Sequence, residues 1–98
     1  MVTVLKFSGF DWDEGNIEHC CKHGLTVTEI EFALNSGALV ILPDIKHSDE
    51  EQRQIAAGVL PDGKRIFVAF TLRVIGGKTR LRPISARRMH EQESKRYE

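Results

Sequence analysis

The sequence has few cysteines, prolines and aromatic residues, and no excess charge of either sign. Its 98 residues include two cysteines, three prolines and 7% aromatics, and 14 basic side chains balance 14 acidic ones. Cys20 and Cys21 are adjacent, a spacing that suits neither an ordinary structural disulfide nor a CxxC metal or redox motif. No apolar run approaches the roughly 18 residues of a membrane-spanning helix, and the N-terminus lacks signal-peptide features. We expect one cytoplasmic domain over residues 1–98, with buried thiols and no membrane partner.

The zero net charge hides an uneven distribution along the chain. Residues 1–49 carry three lysines and eight acids, a net charge of −5, whereas residues 50–98 carry eleven Lys and Arg and six acids, a net charge of +5. If the fold places the basic residues of 50–98 on one face of the protein, that face would attract phosphate groups. The alternative is that these residues form a solvated basic surface that binds no particular ligand.

The first half predicts a short strand followed by two helices. Residues 2–10 form a loosely alternating apolar segment. An aspartate before Glu14 can cap a helix over 13–23, whose apolar face would contain Ile17, Cys20 and Cys21. Thr26 and Glu29 have capping-box spacing, and the apolar stripe that follows predicts a second helix that ends near residue 35.

Beyond Gly37 the pattern becomes extended, which predicts a small antiparallel sheet and an α+β fold. In the partner strand of the expected hairpin, Ile66, Val68, Phe70 and Leu72 share the core face. Pro83 predicts a bulge or an edge position, and a slip in alternation there would place Leu81 and Ile84 on one face. The expected segments are an apolar run at 38–42, strands at 52–60, 65–73 and 79–85, and a polar helix at 86–98.

Arginine is the most informative residue type. Seven arginines lie on or just beyond the predicted strands and could converge on one side of the sheet: Arg53, Arg65, Arg73, Arg80, Arg82, Arg87 and Arg88. Such a surface fits an RNA backbone, and a guanidinium can stabilise the charge that develops when a 2′-hydroxyl attacks the neighbouring phosphate. Solvated arginines are the alternative. The candidates for general base or acid are His23, Glu91, Glu93 and Tyr97.

Other chemistries have little support in the sequence. His19 and His23 have i, i+4 spacing, but no third metal ligand is evident, so we expect no metal and no cofactor. Walker loops, GxGxxG and GxSxG motifs are absent from the sequence, which argues against nucleotide hydrolases and oxidoreductases.

Three motifs in order resemble the BrnT family of bacterial type II toxins. They are Phe10-Asp11-Trp12-Asp13-Glu14 with Asn16, then Lys22-His23-Gly24, and finally Arg82-Pro83-Ile84-Ser85-Ala86-Arg87 ahead of Arg96-Tyr97-Glu98. The resemblance implies a fold similar to RelE and ParE toxins and an endoribonuclease activity that blocks translation. It also implies a BrnA-like ribbon-helix-helix antitoxin, in a complex of two toxins and two antitoxins that represses its own operon.

The resemblance also suggests which residues act. The motif positions able to do chemistry are Lys22, His23, Arg53, Ser85, Arg87 and Tyr97. We predict catalytic roles for His23, Arg53, Arg87 and Tyr97, with the two arginines on phosphate or the transition state. We predict that RNA is bound by Lys22, Arg65, Arg73, Arg80, Arg82 and Arg88, and expect operator DNA to be contacted only through the antitoxin complex.

Two other functions remain open. The first is a non-catalytic binding module of the same fold, which would bind RNA with salt-dependent affinity and leave it intact. The second is a toxin of the same fold that acts on a DNA topoisomerase, as the ParE branch does, because one scaffold can serve several activities.

Overall fold

The computed structural model describes residues 6–36, 40–43 and 53–97, which form three helices and a four-stranded antiparallel sheet. The helices are α1 (Glu14–Cys21), α2 (Val27–Asn35) and α3 (Glu91–Lys95). The strands lie side by side in chain order and are β1 (Val40–Pro43), β2 (Gln54–Val59), β3 (Arg65–Ile75) and β4 (Lys78–Arg88). The predicted α+β class is confirmed. In the described part of the chain, no helix is long and apolar enough to cross a membrane.

Both N-terminal helices begin with the predicted caps. The Asn16 N–H donates to Asp13 Oδ1 at 3.1 Å, and the Asp13 N–H donates to Asn16 Oδ1 at 2.7 Å. Thr26 and Glu29 form the same reciprocal pair at the start of α2, at 3.0 and 3.1 Å. Each such cap stabilises a helix by about 1 kcal/mol. At its other end α1 is shorter than predicted, because Lys22 caps it and Gly24 turns the chain at a φ of +89°.

The buried face of α1 differs from the prediction. Asn16 and Cys20 point inward, whereas Ile17 is 39% exposed. Asn16 sets this rotation, because its Nδ2 donates to the carbonyls of Asp11 and Pro83, both at 2.9 Å. The Asn16 side chain therefore decides which side of α1 packs against β4. The spacing of the apolar residues, taken alone, wrongly predicted that Ile17 is buried.

The core lies between the sheet and the first two helices. Ile30 and Ala33 of α2 are fully buried with Ile66, Val68 and Phe70 of β3. Leu72 was predicted on the same face but is 42% exposed. Strand β3 continues two residues beyond the predicted end, and the whole of its last part, from Leu72 to Ile75, is exposed.

Strand β4 contains the predicted bulge. The register changes from Ala69 opposite Ser85 to Phe70 opposite Pro83, which leaves Ile84 as the extra residue. The bulge changes the phase of alternation, so that Pro83 and Ala86 are both buried with Leu81. Ile84 is only half-buried and lies on the other face, so the prediction that it shares a face with Leu81 is wrong.

The two ends of the chain also differ from prediction. The C-terminal helix does not begin at Ala86, because residues 86–88 pair with β3, and α3 is a short helix that follows His90. Of the strand predicted at 2–10, residues 1–5 lie outside the described residues. Residues 6–9 form no strand, and Phe10 makes an isolated parallel bridge to Leu81. Residues 38, 39 and 52 of the predicted extended segments also lie outside the described part.

Candidate active site

An open groove of about 650 Å³ lies on the face of the sheet opposite the core. Its floor includes Phe67 and Ala69 of β3, which alternate with the buried core residues of that strand. All six motif positions named from the sequence line it together: Lys22, His23, Arg53, Ser85, Arg87 and Tyr97. All four predicted catalytic residues therefore meet in one place, although they come from four separate segments of the chain.

The loop after α1 supplies Lys22 and His23. Because α1 ends at Cys21 and Gly24 turns the chain, these two residues are exposed at the rim of the groove. His19, one turn earlier on α1, also lines the groove. Imidazole is the side chain best suited to take up and release protons near neutral pH, so either histidine could serve in proton transfer.

Arg87 is held by three hydrogen bonds and one contact with an aromatic ring. Its Nη1 and Nη2 each donate to one carboxylate oxygen of Glu93 at 2.9 Å, and Nη1 also donates to the carbonyl of Arg88 at 3.2 Å. Its guanidinium lies over the ring of Phe67, 4.9 Å from the centroid. These contacts use the end of the guanidinium and leave its Nε–Nη2 edge for another acceptor. Arg87 is thus oriented before any substrate arrives.

The Arg87–Glu93 pair changes the protonation of both groups. Hydrogen bonds from Arg87, and then from the His90 backbone N–H, lower the pKa of Glu93 from 4.5 to about 2. The hydrogen bond to Glu93 raises the pKa of Arg87. Glu93 was one candidate for the general acid or base. With this low pKa it is ionised at neutral pH, which is unsuitable for an acid and makes it a weak base.

The short helix α3 closes one side of the groove through contacts with the sheet. Tyr97 meets the ring of Phe67 edge-to-face, with centroids 5.8 Å apart and planes at 80°. Arg65 Nη1 donates to Ser94 Oγ at 3.3 Å. Phe67 was not among the predicted site residues, although its place in β3 between buried residues put it on the same face as Arg65 and Arg73.

A second cavity of about 510 Å³ adjoins the groove and shares His19, Arg53 and Ile84 with it. Arg73 and Arg82, both predicted to bind RNA, line this cavity. Arg82 is also ion-paired, with Nη2 at 2.9 Å from Asp13 Oδ2 and Nη1 at 3.5 Å from Asp11 Oδ2. It therefore fastens the start of α1 to β4.

Three of the predicted RNA-binding arginines line neither the groove nor the second cavity. Arg65 contacts α3, as described above. Arg80 lies opposite Arg73 on the neighbouring strand. Arg88 lies opposite Ile66, on the core side of the sheet, with Nη2 at 4.0 Å from Glu29 Oε2. The roles of all six RNA-binding candidates stay predictions.

The groove combines cations, imidazoles, aromatic rings and aliphatic side chains with the Ser85 hydroxyl and the Glu93 carboxylate. Within residues 6–36, 40–43 and 53–97, no group of three or more His, Cys, Asp or Glu side chains is arranged to hold a metal ion. The groove can attract a phosphate, place a guanidinium against it and present imidazoles beside it.

A sequence model of one family, described as the ribonuclease toxin BrnT of type II toxin-antitoxin systems, matches residues 12–93. The chain belongs to the BrnT family. The match includes Lys22, His23, Arg53, Arg87 and Glu93, whereas Tyr97 lies beyond it. No curated protein sequence matches this BrnT chain. As a BrnT protein it is a type II toxin of ribonuclease class, and a protein antitoxin is its expected partner.

Proposed function

We propose that this chain is an endoribonuclease that cleaves RNA without a metal ion, by attack of a 2′-hydroxyl on the adjacent phosphate. The observation that carries the proposal is the meeting of Lys22, His23, Arg53 and Arg87 in one groove. Neighbouring cations attract the RNA backbone, and a fixed guanidinium stabilises the additional negative charge of the transition state. These residues supply the charge that a metal would otherwise provide.

The reaction is a transesterification in which the RNA supplies its own nucleophile. The 2′-oxygen loses its proton and bonds to phosphorus, the bond from phosphorus to the 5′-oxygen breaks, and that oxygen takes up a proton. The products end in a 2′,3′-cyclic phosphate and a 5′-hydroxyl. His23, from the loop after α1, and Tyr97, from the segment after α3, both line the groove, and we assign one of them to take up the proton and the other to donate it.

The arginines and the lysine act on the phosphate. Arg87 presents its Nε–Nη2 edge as a fork for two phosphate oxygens, while Glu93 and Phe67 hold the guanidinium in place. Arg53 contacts the same phosphate or the developing charge. Lys22 attracts and positions the strand as a point charge.

A single modified nucleotide tests this chemistry. An end-labelled RNA is incubated with the protein in EDTA, and its cleavage site is mapped. The same RNA with a 2′-deoxynucleotide on the 5′ side of that site is then compared. We expect cleavage of the first RNA only, with a cyclic phosphate at the new end. Cleavage of the deoxy-substituted RNA at the same bond would exclude attack by the 2′-hydroxyl.

We further propose the biological setting that the resemblance implied. Cleavage of messenger RNA in the cytoplasm would inhibit translation, and a BrnA-like ribbon-helix-helix antitoxin would neutralise the toxin in a complex of two copies of each. Preincubation of messenger RNA with the toxin should abolish its translation in a cell-free system, and toxin that is mixed with the antitoxin before the RNA is added should leave translation intact. Light scattering of the purified complex should give the mass of two toxins and two antitoxins.

A further inference from the structure

One residue from each strand of the sheet stands in a single row across the floor of the groove. Ile55 of β2 lies opposite Leu42 on β1 and opposite Ala69 on β3. Ser85 of β4 lies opposite Ala69 in turn, and all four residues line the groove. Because neighbouring strands are about 4.8 Å apart, the row spans roughly 14 Å from β1 to β4.

Three members of this row, Leu42, Ile55 and Ala69, form an aliphatic surface that a ligand in the groove can touch; we call them the aliphatic row. Leu42 is 39% exposed, and Ile55 and Ala69 are half-buried. The guanidinium of Arg87 lies over the ring of Phe67, which precedes Ala69 by two positions on the same face of β3. The groove therefore has a charged side, where the proposed mechanism places the phosphate, and an aliphatic side next to it.

The chemistry of RNA limits what the aliphatic row can receive. The phosphate of a nucleotide is charged and its sugar carries hydroxyls, whereas an unpaired base has two faces that pack on apolar side chains. The ring of Phe67 is already in contact with Arg87 and Tyr97, so the base is expected on the aliphatic side. Resting on the proposed ribonuclease function, we infer that the aliphatic row is a nucleobase subsite, which holds the base of a nucleotide whose phosphate contacts Arg87.

The aliphatic side chains determine how this subsite selects a base. Leucine, isoleucine and alanine side chains have no hydrogen-bond donor or acceptor, so the row does not read the polar edge of a base. It favours a base by the apolar area that is buried, and therefore favours purines over pyrimidines. The subsite adds affinity and positions the nucleotide without imposing a strict sequence.

The test compares Leu42→Ala with Leu72→Ala in the full chain. The two leucines lie on strands and are 39% and 42% exposed, but Leu72 lies outside the groove. The probes are 2′-O-methylated dinucleotides, which the proposed reaction cannot cleave. One probe carries two adenines, and two further probes each lack one of these bases. Dissociation constants come from NMR titrations of protein with labelled leucine and isoleucine methyl groups, which need no dye that could itself bind an apolar surface.

We expect Leu42→Ala to weaken binding of the complete dinucleotide about fivefold, the effect of losing about 40 Å² of apolar contact. Leu72→Ala should bind it as the wild type does. One of the two base-deleted probes should bind Leu42→Ala and wild type equally, because the base that the row would hold is missing. In the wild type, the ring current of the bound base should shift the methyl signals of Leu42 and Ile55 and leave those of Leu72 in place.

The outcomes separate the subsite from the proposed function. Equal affinity of Leu42→Ala and wild type for the complete dinucleotide would overturn the subsite, even if the protein cleaves RNA. A loss that persists with both base-deleted probes would also overturn it, because Leu42 would then act on the fold or the phosphate. If Leu42→Ala does not fold, the wild-type titration decides, and unshifted signals of Leu42 and Ile55 would overturn the subsite. Base-dependent binding by a protein that leaves ordinary RNA intact would support the subsite and refute the nuclease.

Discussion

Asn16 gives the sharpest prediction about stability, because its side chain joins the start of α1 to the bulge in β4. Its Oδ1 accepts from the Asp13 N–H, and its Nδ2 donates to the carbonyls of Asp11 and Pro83. The hydrogen-bonding capacity of both amide hydrogens is therefore used. The bond to the Pro83 carbonyl is buried, and Asn16 itself is 5% exposed.

Asn16→Ala removes these three bonds at once. A buried carbonyl left without a donor costs about 1–3 kcal/mol, and each of the two partly exposed bonds contributes about 1 kcal/mol. The higher helix propensity of alanine returns roughly 0.5 kcal/mol. We expect the free energy of unfolding to fall by about 2.5–4.5 kcal/mol, and the melting temperature of a domain of this size to fall by roughly 10–20 °C.

Urea denaturation followed by circular dichroism measures this change. Asn35→Ala, at the exposed last position of α2, is the control and should stay within about 0.5 kcal/mol of the wild type. Asn16→Asp keeps the shape but turns a carboxylate oxygen toward two carbonyls, so it should destabilise at least as much as alanine does. A fall of less than about 0.5 kcal/mol for Asn16→Ala would refute the idea that this side chain fastens α1 to β4.

Three further predictions concern packing, pH and thiol reactivity. Gly58→Ala should lower the free energy of unfolding by about 1–3 kcal/mol in urea denaturation, because the new Cβ would lie 2.8 Å from the Ala33 carbonyl oxygen; an unchanged midpoint would show that α2 can move away from β2. Glu93 has a pKa of about 2 in the folded protein, below its ordinary 4.5. Its ion pair therefore stabilises the fold above pH 4.5, and this contribution disappears as the pH falls from 4.5 toward 2. Glu93→Gln should accordingly be less stable than wild type at pH 6, with the difference closing toward pH 2; a difference that does not depend on pH would contradict the assigned pKa. Burial raises the pKa of Cys20 to about 12, so a thiol reagent at pH 8 should leave Cys20 unmodified in the native protein and label it in denaturant. Rapid native labelling of Cys20, located by mass spectrometry, would show that the core around it opens.

Sequence motifs predicted those features of the fold that depend on one short segment of the chain, such as helix starts and the bulge. The capping boxes at Asp13 and Thr26 need only residues three positions apart, and the bulge follows from Pro83 within its own strand. The exposure of Ile17 was predicted wrongly because it depends on a partner distant in the sequence. The carbonyl of Pro83 orients α1 through Asn16, and no periodicity within residues 13–23 contains that information.

The candidate site shows the same division. The motifs pointed to residues that line one groove, but the residues that hold them in place were harder to find. The sequence suggested Glu93 as a group for proton transfer and not as the partner of Arg87. The two residues are six positions apart, one at the end of β4 and the other in α3, and no regular strand or helix spacing predicts a contact between them. Phe67 resembles an ordinary strand residue in the sequence. Its significance comes from the guanidinium of Arg87, which the sheet places over its ring.

The most direct test of the proposed nuclease is cleavage of end-labelled RNA in EDTA by wild type, Arg87→Ala and Arg96→Ala, purified identically. Arg96 is an exposed cation at the end of α3 outside the groove, so its loss removes the same charge without changing the groove. We expect wild type and Arg96→Ala to cleave, and Arg87→Ala to lose at least about a hundredfold in rate, as removal of a transition-state donor does. Equal cleavage by Arg87→Ala, or intact RNA with the wild type, would contradict an active site built around Arg87.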